Sequence, residues 1–370
     1  MKCLRIVRLV NEEIVLQKPV YYGNIYPIIY KKGVQDPMKK LLVLFLSLVC
    51  VVSLCLTGCS KPDSSGDSTN GTTTIPTTEP TTVPTTEAPT EPSAPEFDPH
   101  ADKTWKEDGV FKFLIVGNSF SNDVMEYVFD IASAAGVKDM VLGNLYIGNC
   151  SLETHLKHAR EDDGAYTYYT NDFGAWIKTS KFKLSDAVKS ENWDFIAFQQ
   201  APQTCGMVDT YKDLEELRSI VEQNCTNPKV EFLWHMTWAC AESYTGSLFA
   251  NYQMSQEVMY DAIIDATKWG VFTNDKITRV IPNGTIMQNM RTSYFGDNVC
   301  RDGLHLSLPQ GRLLGGLGIV AATVGINYDT IDLSEAHSAF EDEEFTRAAL
   351  ESVKNAMEHP YEVTQSKITK

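Results

Sequence analysis

The chain contains a serine, a histidine and an aspartate in contexts that suit nucleophilic catalysis. Ser119 follows Gly117-Asn118 directly after a short apolar run, and Asp302 and His305 lie three residues apart in a later loop. A serine hydroxyl becomes a competent nucleophile when a base removes its proton during attack, and an acid that orients the imidazole completes the set. We therefore predict that Ser119 attacks an acyl carbonyl, with His305 as the base and Asp302 as the orienting acid.

The elements that must position these residues are predicted from the hydrophobic pattern. Apolar runs predict strands, and helical spacing between them predicts helices. The expected strands cover residues 111–116, 140–147, 193–198, 230–234 and 279–281, and the expected helices cover 124–135, 214–221, 257–269 and 313–324. This alternation indicates a three-layer α/β/α domain with a parallel sheet of about five strands.

In an open parallel sheet, functional groups gather where strands end. Gly148 and Asn149 follow the second predicted strand, and Gln199 and Gln200 follow the third. His235 and Trp238 lie at the end of the fourth, where they and Asn149 could line a substrate site, although Trp238 fits the core equally well. Alone, Ser119 would suit a helix N-cap and the Asp302–His305 segment a solvated loop. The order and placement of all these residues together favour catalysis.

This order of blocks resembles the SGNH, or GDSL-like, hydrolase superfamily over roughly residues 110 to 325. Gly117-Asn118-Ser119 resembles its nucleophile block, Gly148 its second block, and Asp302-x-x-His305 its last. Residues 144–155 resemble an uncharacterised secreted subgroup. The resemblance implies a flavodoxin-like SGNH-hydrolase fold, ester hydrolysis, and an oxyanion hole that includes the backbone N–H groups of Ser119 and Gly148.

One block departs from the superfamily pattern. The superfamily usually has Gly-x-Asn after the third strand, with the asparagine amide donating to the oxyanion, whereas this chain has Phe198-Gln199-Gln200-Ala201. A glutamine amide can donate the same hydrogen bond. We expect Gln199 or Gln200 to supply it, and the alternation of side chains along a strand leaves open which one.

The N-terminal region is typical of a bacterial lipoprotein. Residues 38–59 combine a basic start, an apolar run and Leu56-Thr57-Gly58-Cys59, which resembles a lipobox with Cys59 as the lipidated residue. A plain membrane anchor is the alternative. We expect residues 1–37 to be untranslated or disordered, 60–104 to be a Thr/Pro-rich disordered tether, 105–360 to be the hydrolase domain, and 361–370 to be a C-terminal tail. The domain would then lie on the outer face of the bacterial cytoplasmic membrane.

Composition restricts the partners. The net charge of −16 argues against nucleic acid, because nothing would offset phosphate repulsion. The cysteines and histidines show no zinc-ligand spacing, and His155 and His158 are interpreted as surface residues, so we predict neither a metal nor a cofactor. We also expect a monomer whose membrane contact is made through the lipid anchor.

The substrate expected for a surface-tethered esterase is an acylated glycan or a small ester, with O-acetyl as the acyl group. Tyr166, Tyr168 and Tyr169 could form a sugar-stacking platform, although aromatic clusters more often serve packing. Two alternatives stay open at this level: a glycan O-acyltransferase and a non-catalytic glycan-binding lipoprotein.

Overall fold

The structure, a computed structural model, describes residues Asp108 to Thr369. The expected signal peptide with Cys59, the residues before it and the predicted tether lie outside the described residues. Within the described range, no helix has both the length and the apolar character needed to cross a membrane.

The described residues form one sheet of seven strands in the order β4-β3-β2-β1-β5-β6-β7. β1, β2, β5, β6 and β7 are parallel, and β3 and β4 extend one edge as antiparallel strands. The strands are β1 Val110–Gly117, β2 Asp139–Tyr146, β3 Tyr166–Asn171, β4 Ile177–Phe182, β5 Phe195–Phe198, β6 Glu231–His235 and β7 Ile277–Ile281.

The predicted α/β class and the five parallel strands are therefore confirmed, and the parallel strands follow the flavodoxin-like order. The expected total of about five strands is wrong, because β3 and β4 were missed. β4 is exposed and polar along most of its length, so it shows no apolar run. β3 consists largely of tyrosine and threonine, whose polar groups hide the strand pattern.

Nine α-helices connect and flank the strands in the described part of the chain. They are α1 Ser119–Met125, α2 Val128–Ala134, α3 Leu152–Glu161, α4 Leu184–Lys189, α5 Leu214–Asn224, α6 Gln256–Gly270, α7 Asn283–Arg291, α8 Gln310–Thr323 and α9 Glu343–Glu358. The single helix predicted over residues 124–135 corresponds to two helices in the structure, the end of α1 and the whole of α2. α1 begins early because the Asn118 side chain accepts a hydrogen bond from the N–H of Phe120 and caps the helix.

Side chains of β1 divide the core into two layers, because successive residues of a strand face opposite sides of the sheet. Phe111, Phe113 and Ile115 pack with α1, α2, α7, α8 and α9, whereas Leu114 and Val116 pack with α3, α4, α5 and α6. All five side chains are fully buried or nearly so. The three-layer architecture thus places the carboxyl ends of the parallel strands at one edge of the sheet.

The C-terminal segment beyond α9 lies against the domain. The Asn289 side chain of α7 accepts a hydrogen bond from the N–H of Thr364, and the Ile368 carbonyl accepts one from the N–H of Tyr294. These contacts attach residues 361–369, which we expected to be a tail, to the helical layer that contains α7 and α9.

Candidate active site

Ser119, His305 and Asp302 form a continuous hydrogen-bonded chain. The Ser119 Oγ lies 3.0 Å from His305 Nε2, and His305 Nδ1 lies 2.8 Å from Asp302 Oδ2. The His305 side chain is 25% exposed and the Asp302 side chain is 50% exposed. Solvent therefore reaches these three hydrogen-bonded side chains from the side of the acid. This is the arrangement of nucleophile, base and orienting acid that the sequence predicts.

The loop around Asp302 fixes the acid in its charged form. Its Oδ1 accepts hydrogen bonds from the N–H groups of Leu304 and His305, while Oδ2 accepts one from the His305 ring. Partial burial acts to raise the pKa of Asp302, but these hydrogen bonds outweigh it and hold the pKa below its ordinary value. A carboxylate at this position favours the imidazolium that forms when His305 accepts a proton.

Ser119, the predicted nucleophile, lies at the tight turn from β1 into α1. Ser119 is the first residue of α1, and the first N–H groups of a helix have no intrahelical acceptor. Gly117 permits the turn, since a Cβ there would lie 2.7 Å from the Ser121 side chain. The Ser119 N–H is therefore well suited to the oxyanion hole.

Gly148 lies just beyond β2, next to the strand that carries the nucleophile. Gly148 and Asn149 are exposed, and Asn149 has a left-handed backbone with φ of 56°. A Cβ on Gly148 would lie 3.1 Å from the Tyr146 hydroxyl. The exposure is compatible with the roles predicted for both residues, which remain predictions.

The structure corrects the expectation for the two glutamines. Both hydrogen bonds from Gln200 Nε2 go to Thr210, to its carbonyl and to its hydroxyl. Gln199 Nε2 donates to Asn118 Oδ1 at 2.8 Å. Both side chains are fully buried or nearly so. Gln200 uses both of its amide hydrogens in this way, and Gln199, which uses one, is completely buried, so the structure supports neither as the expected oxyanion donor.

Gln199 instead belongs to a buried polar relay beneath the nucleophile. Asn283 Nδ2 donates to His235 Nε2 at 3.0 Å, and His235 Nδ1 donates to Gln199 Oε1 at 2.9 Å. Gln199 then donates to Asn118, whose own amide donates to the Cys150 carbonyl. Burial lowers the pKa of His235 to about 3, so its ring is neutral and carries its proton on Nδ1. The relay positions Asn118, the residue that caps α1 next to Ser119.

His235 and Trp238 do not line a substrate site, which corrects a second expectation. Both side chains are completely buried. Trp238 stacks on Phe120 with ring centroids 4.0 Å apart, and its Nε1 donates to the Leu304 carbonyl at 2.8 Å. Trp238 thus contacts the neighbours of both the nucleophile and the base, and its role is to support them.

A buried carboxylate that the sequence analysis did not select, Asp123, joins the helix that begins with Ser119 to the loop that carries His305. Asp123 Oδ1 forms ion pairs with Arg301 at 3.2 Å and Arg312 at 2.7 Å. Its Oδ2 accepts a hydrogen bond from the N–H of Leu306, the residue after the catalytic base. One feature of the sequence could have pointed to Asp123: it lies one helical turn after Ser119 on the same helix.

The two histidines expected at the surface differ in their environments. His155 is completely buried and its Nδ1 lies 3.1 Å from the Tyr166 hydroxyl, so the surface interpretation is wrong for it. His158 is half-buried, and its ligating atom lies within 4.8 Å of those of Glu161 and Asp163. These three residues could hold a metal ion, but the Nδ1 of His158 already pairs with Asp163 at 3.0 Å.

Comparisons with known proteins place the chain in a family. The profile described as "Domain of unknown function (DUF4886)" matches residues 112–326, and the chain belongs to this family. A crystal structure of a DUF4886 family protein from Bacteroides uniformis is 34% identical, with a TM-score of 0.67 over 70% of this chain and 100% of that one. A search of curated proteins finds no match.

More distant solved structures share less with the chain. A protein from Slackia heliotrinireducens, proposed to be an SGNH hydrolase, is 18% identical with a TM-score of 0.39, over 58% of this chain and 100% of that one. The lipase Lip_vut3 from a goat rumen metagenome is 10% identical with a TM-score of 0.38, over 58% and 98% of the two chains.

Proposed function

We propose that this chain is a serine esterase that hydrolyses O-acyl esters through an acyl-Ser119 intermediate. The observation that carries the proposal is the linear set of contacts from Ser119 Oγ to His305 Nε2, at 3.0 Å, and from His305 Nδ1 to Asp302, at 2.8 Å. A base within hydrogen-bond reach of the nucleophile, itself oriented by an acid, is the arrangement that activates a serine.

Acylation follows from this geometry. His305 Nε2 takes the proton from Ser119 as the oxygen attacks the ester carbonyl carbon, and the carbonyl oxygen becomes an oxyanion. The N–H groups of Ser119 and Gly148 would stabilise this charge. When the intermediate collapses, the bond to the alcohol oxygen breaks, and the imidazolium gives its proton to the departing alcohol.

Deacylation repeats the same steps with water. His305 takes a proton from a water molecule as it attacks the acyl carbon. When the second tetrahedral intermediate collapses, the bond from the acyl carbon to Ser119 Oγ breaks, the imidazolium returns its proton to that oxygen, and the carboxylic acid leaves. The charged Asp302 stabilises the imidazolium in both halves of the reaction.

The finer parts of the proposal concern the substrate and the location. We propose O-acetyl groups on carbohydrate as the substrate, and lipid attachment at Cys59 as the means of holding the domain at the outer face of the membrane. The lipobox-like sequence and the Thr/Pro-rich tether support this location. Wild type should incorporate radioactive palmitate, and Cys59→Ala should not; this result would support lipid attachment at Cys59. Equal labelling of wild type and Cys59→Ala would contradict it.

The central test is active-site labelling combined with product release. Wild type should react with a fluorophosphonate probe and release acetate from one or more members of a panel of acetylated oligosaccharides, while Ser119→Ala should do neither. Equally poor labelling of folded wild type and folded Ser119→Ala would contradict the proposed esterase activity and favour a non-catalytic binding role. Transfer of acetyl to added sugar, without free acetate, would replace hydrolysis by acyltransfer.

A further inference from the structure

A cavity lies against α1, the helix that begins with Ser119. Its volume is about 240 Å³, below the roughly 300–1,000 Å³ of drug-sized pockets, so it accepts one ring-sized group. The lining combines two aromatic side chains, one methionine and four polar side chains: Tyr169, Trp176, Met125, Asn122, Glu126, Asn144 and Arg312.

The cavity is built against α1 and β2, the elements that carry Ser119 and lead to Gly148. Asn122 lies three residues beyond Ser119, which is about 4.5 Å along the helix axis. Asn144 of β2 donates to Asn122 Oδ1 at 2.7 Å and accepts a hydrogen bond from Ser121 at 2.8 Å. One wall of the cavity is therefore fixed by direct hydrogen bonds to the nucleophile helix.

The rest of the aromatic lining is contributed by β3 and by the turn that joins β3 to β4. Tyr169 pairs with Asn144 across the two strands, and residues directly opposite each other project from the same face of a sheet. Trp176 is fixed by a hydrogen bond from its Nε1 to the Glu126 carbonyl at 3.3 Å. An aromatic ring that is already held in place loses little conformational entropy when a ligand stacks on it.

Charge argues for a neutral ligand. The only charged groups in the lining are Glu126 and Arg312, and they pair with each other at 3.3 Å. Arg312 also pairs with the buried Asp123 at 2.7 Å, so its positive charge is already compensated. Within the lining a phosphate or carboxylate would find no uncompensated cation, and the neighbouring Lys178 ammonium lies over the Tyr169 ring, 5.8 Å from its centroid. An acyl chain would contact Met125 but would leave the amide of Asn122 facing hydrocarbon.

Resting on the esterase function proposed above, we propose that this cavity binds a neutral sugar ring on the alcohol side of the scissile ester. The C–H face of a pyranose can stack on Trp176 or Tyr169, and its hydroxyl groups can exchange hydrogen bonds with Asn122 and Glu126. An aromatic contact connects this subsite to the reacting centre, since the Tyr146 ring meets Tyr169 edge-on at 6.0 Å and its hydroxyl lies beside Gly148.

The test compares a glycan ester with an ester that has no sugar. In Trp176→Ala, KM for an acetylated oligosaccharide should rise about tenfold, while kcat/KM for 4-nitrophenyl acetate should stay within about twofold of wild type. Phe173→Ala is the matched control, because Phe173 belongs to the same turn, is 86% exposed and lies outside the lining. It should leave both substrates unchanged.

A binding experiment separates failure of the subsite from failure of the esterase. Ser119→Ala, with and without Trp176→Ala, is titrated calorimetrically with neutral oligosaccharides of xylose, mannose, glucose and N-acetylglucosamine. Binding to one of them that is lost in the double variant supports the subsite. Binding to none, or equal binding by both proteins, overturns it. If wild type is not labelled by the fluorophosphonate probe, the esterase proposal fails, while the binding result still decides the sugar subsite.

Two-substrate kinetics gives a further decisive outcome. If Trp176→Ala folds with an unchanged melting temperature and loses the same factor of kcat/KM on both substrates, the residue supports the catalytic centre and the sugar subsite is wrong. Tyr169→Phe keeps the ring while removing its hydroxyl. It should retain most of the affinity that Tyr169→Ala loses.

Discussion

Asp123 Oδ2 accepts a hydrogen bond of 2.9 Å from the backbone N–H of Leu306, although the two residues are 183 positions apart. Asp123 belongs to the helix that begins with Ser119, the proposed nucleophile, and Leu306 follows His305, the proposed base. The other oxygen of the same carboxylate pairs with Arg301 and Arg312, on either side of the base. The buried Asp123 side chain therefore ties the segment around His305 directly to the helix that begins with Ser119.

Asp123→Asn should lower both stability and kcat. One amide oxygen cannot replace both carboxylate oxygens, so either the arginines or the Leu306 N–H will face an amide NH₂ group. Loss of a charge buried to this degree should reduce the free energy of unfolding by about 3 kcal/mol. Chemical denaturation and hydrolysis of 4-nitrophenyl acetate would measure the two effects. Glu216→Gln, which breaks the exposed ion pair with Arg160, is the control and should change neither.

Asp302→Asn should lower kcat by about three to four orders of magnitude while the fold is retained. Asp302 accepts hydrogen bonds from Leu304 N–H, His305 N–H and the His305 ring. An amide oxygen that keeps the two backbone contacts turns its NH₂ group toward His305 Nδ1 and favours the wrong tautomer. Asp332→Asn is the matched control, because Asp332 also accepts a backbone N–H, from Ser334, in an exposed turn. Equal rates for wild type and Asp302→Asn would remove the acid from the mechanism.

The buried histidines should make stability depend on pH in the acidic range. Burial lowers the pKa of His235 and of His155 to about 3, whereas the unfolded chain has histidines near 6.5. Between these values the unfolded chain binds protons that the folded chain does not, so stability should fall as the pH is lowered from about 6.5 to about 3. Each residue should contribute a slope of up to about 1.4 kcal/mol per pH unit.

Denaturant unfolding of His235→Gln and His155→Gln from pH 7 to pH 4 would test this dependence. Each variant should show a shallower decline than wild type, because one linked proton is removed while the carboxylates are unchanged. Curves parallel to that of wild type would show that the histidine in question is protonated in the folded chain.

Gln200→Ala should reduce stability but change kcat by only a few fold. Gln200 accepts hydrogen bonds from the N–H groups of Leu152 and Ala201 and donates to Thr210, so its loss leaves buried groups unpaired at a cost of about 1–3 kcal/mol. Removal of an oxyanion donor would instead lower kcat by about a hundredfold or more. Such a loss, at unchanged stability, would restore the oxyanion role that the sequence suggested.

The sequence predicted the features that depend on local pattern. The parallel strands appear as apolar runs, and Ser119, Asp302 and His305 could be selected because each lies beside such an element in the expected order. The roles of Gln199 and His235 could not be predicted, because a polar residue at a strand end looks the same whether it faces substrate or a buried partner. Asp123 was missed for a related reason: its partners Arg301, Leu306 and Arg312 are distant in the sequence.

The distance along the chain between Ser119 and His305 determines when the site can exist. The two residues are 186 positions apart, and the segment between them includes every strand from β2 to β7. The entropic cost of closing so long a loop rises only slowly with its length, but the contact requires the intervening sheet as its support. During synthesis, a ribosome-bound chain that ends before residue 302 holds the serine without its base. The reactivity proposed for Ser119 would therefore arise only after all seven strands of the sheet have been made.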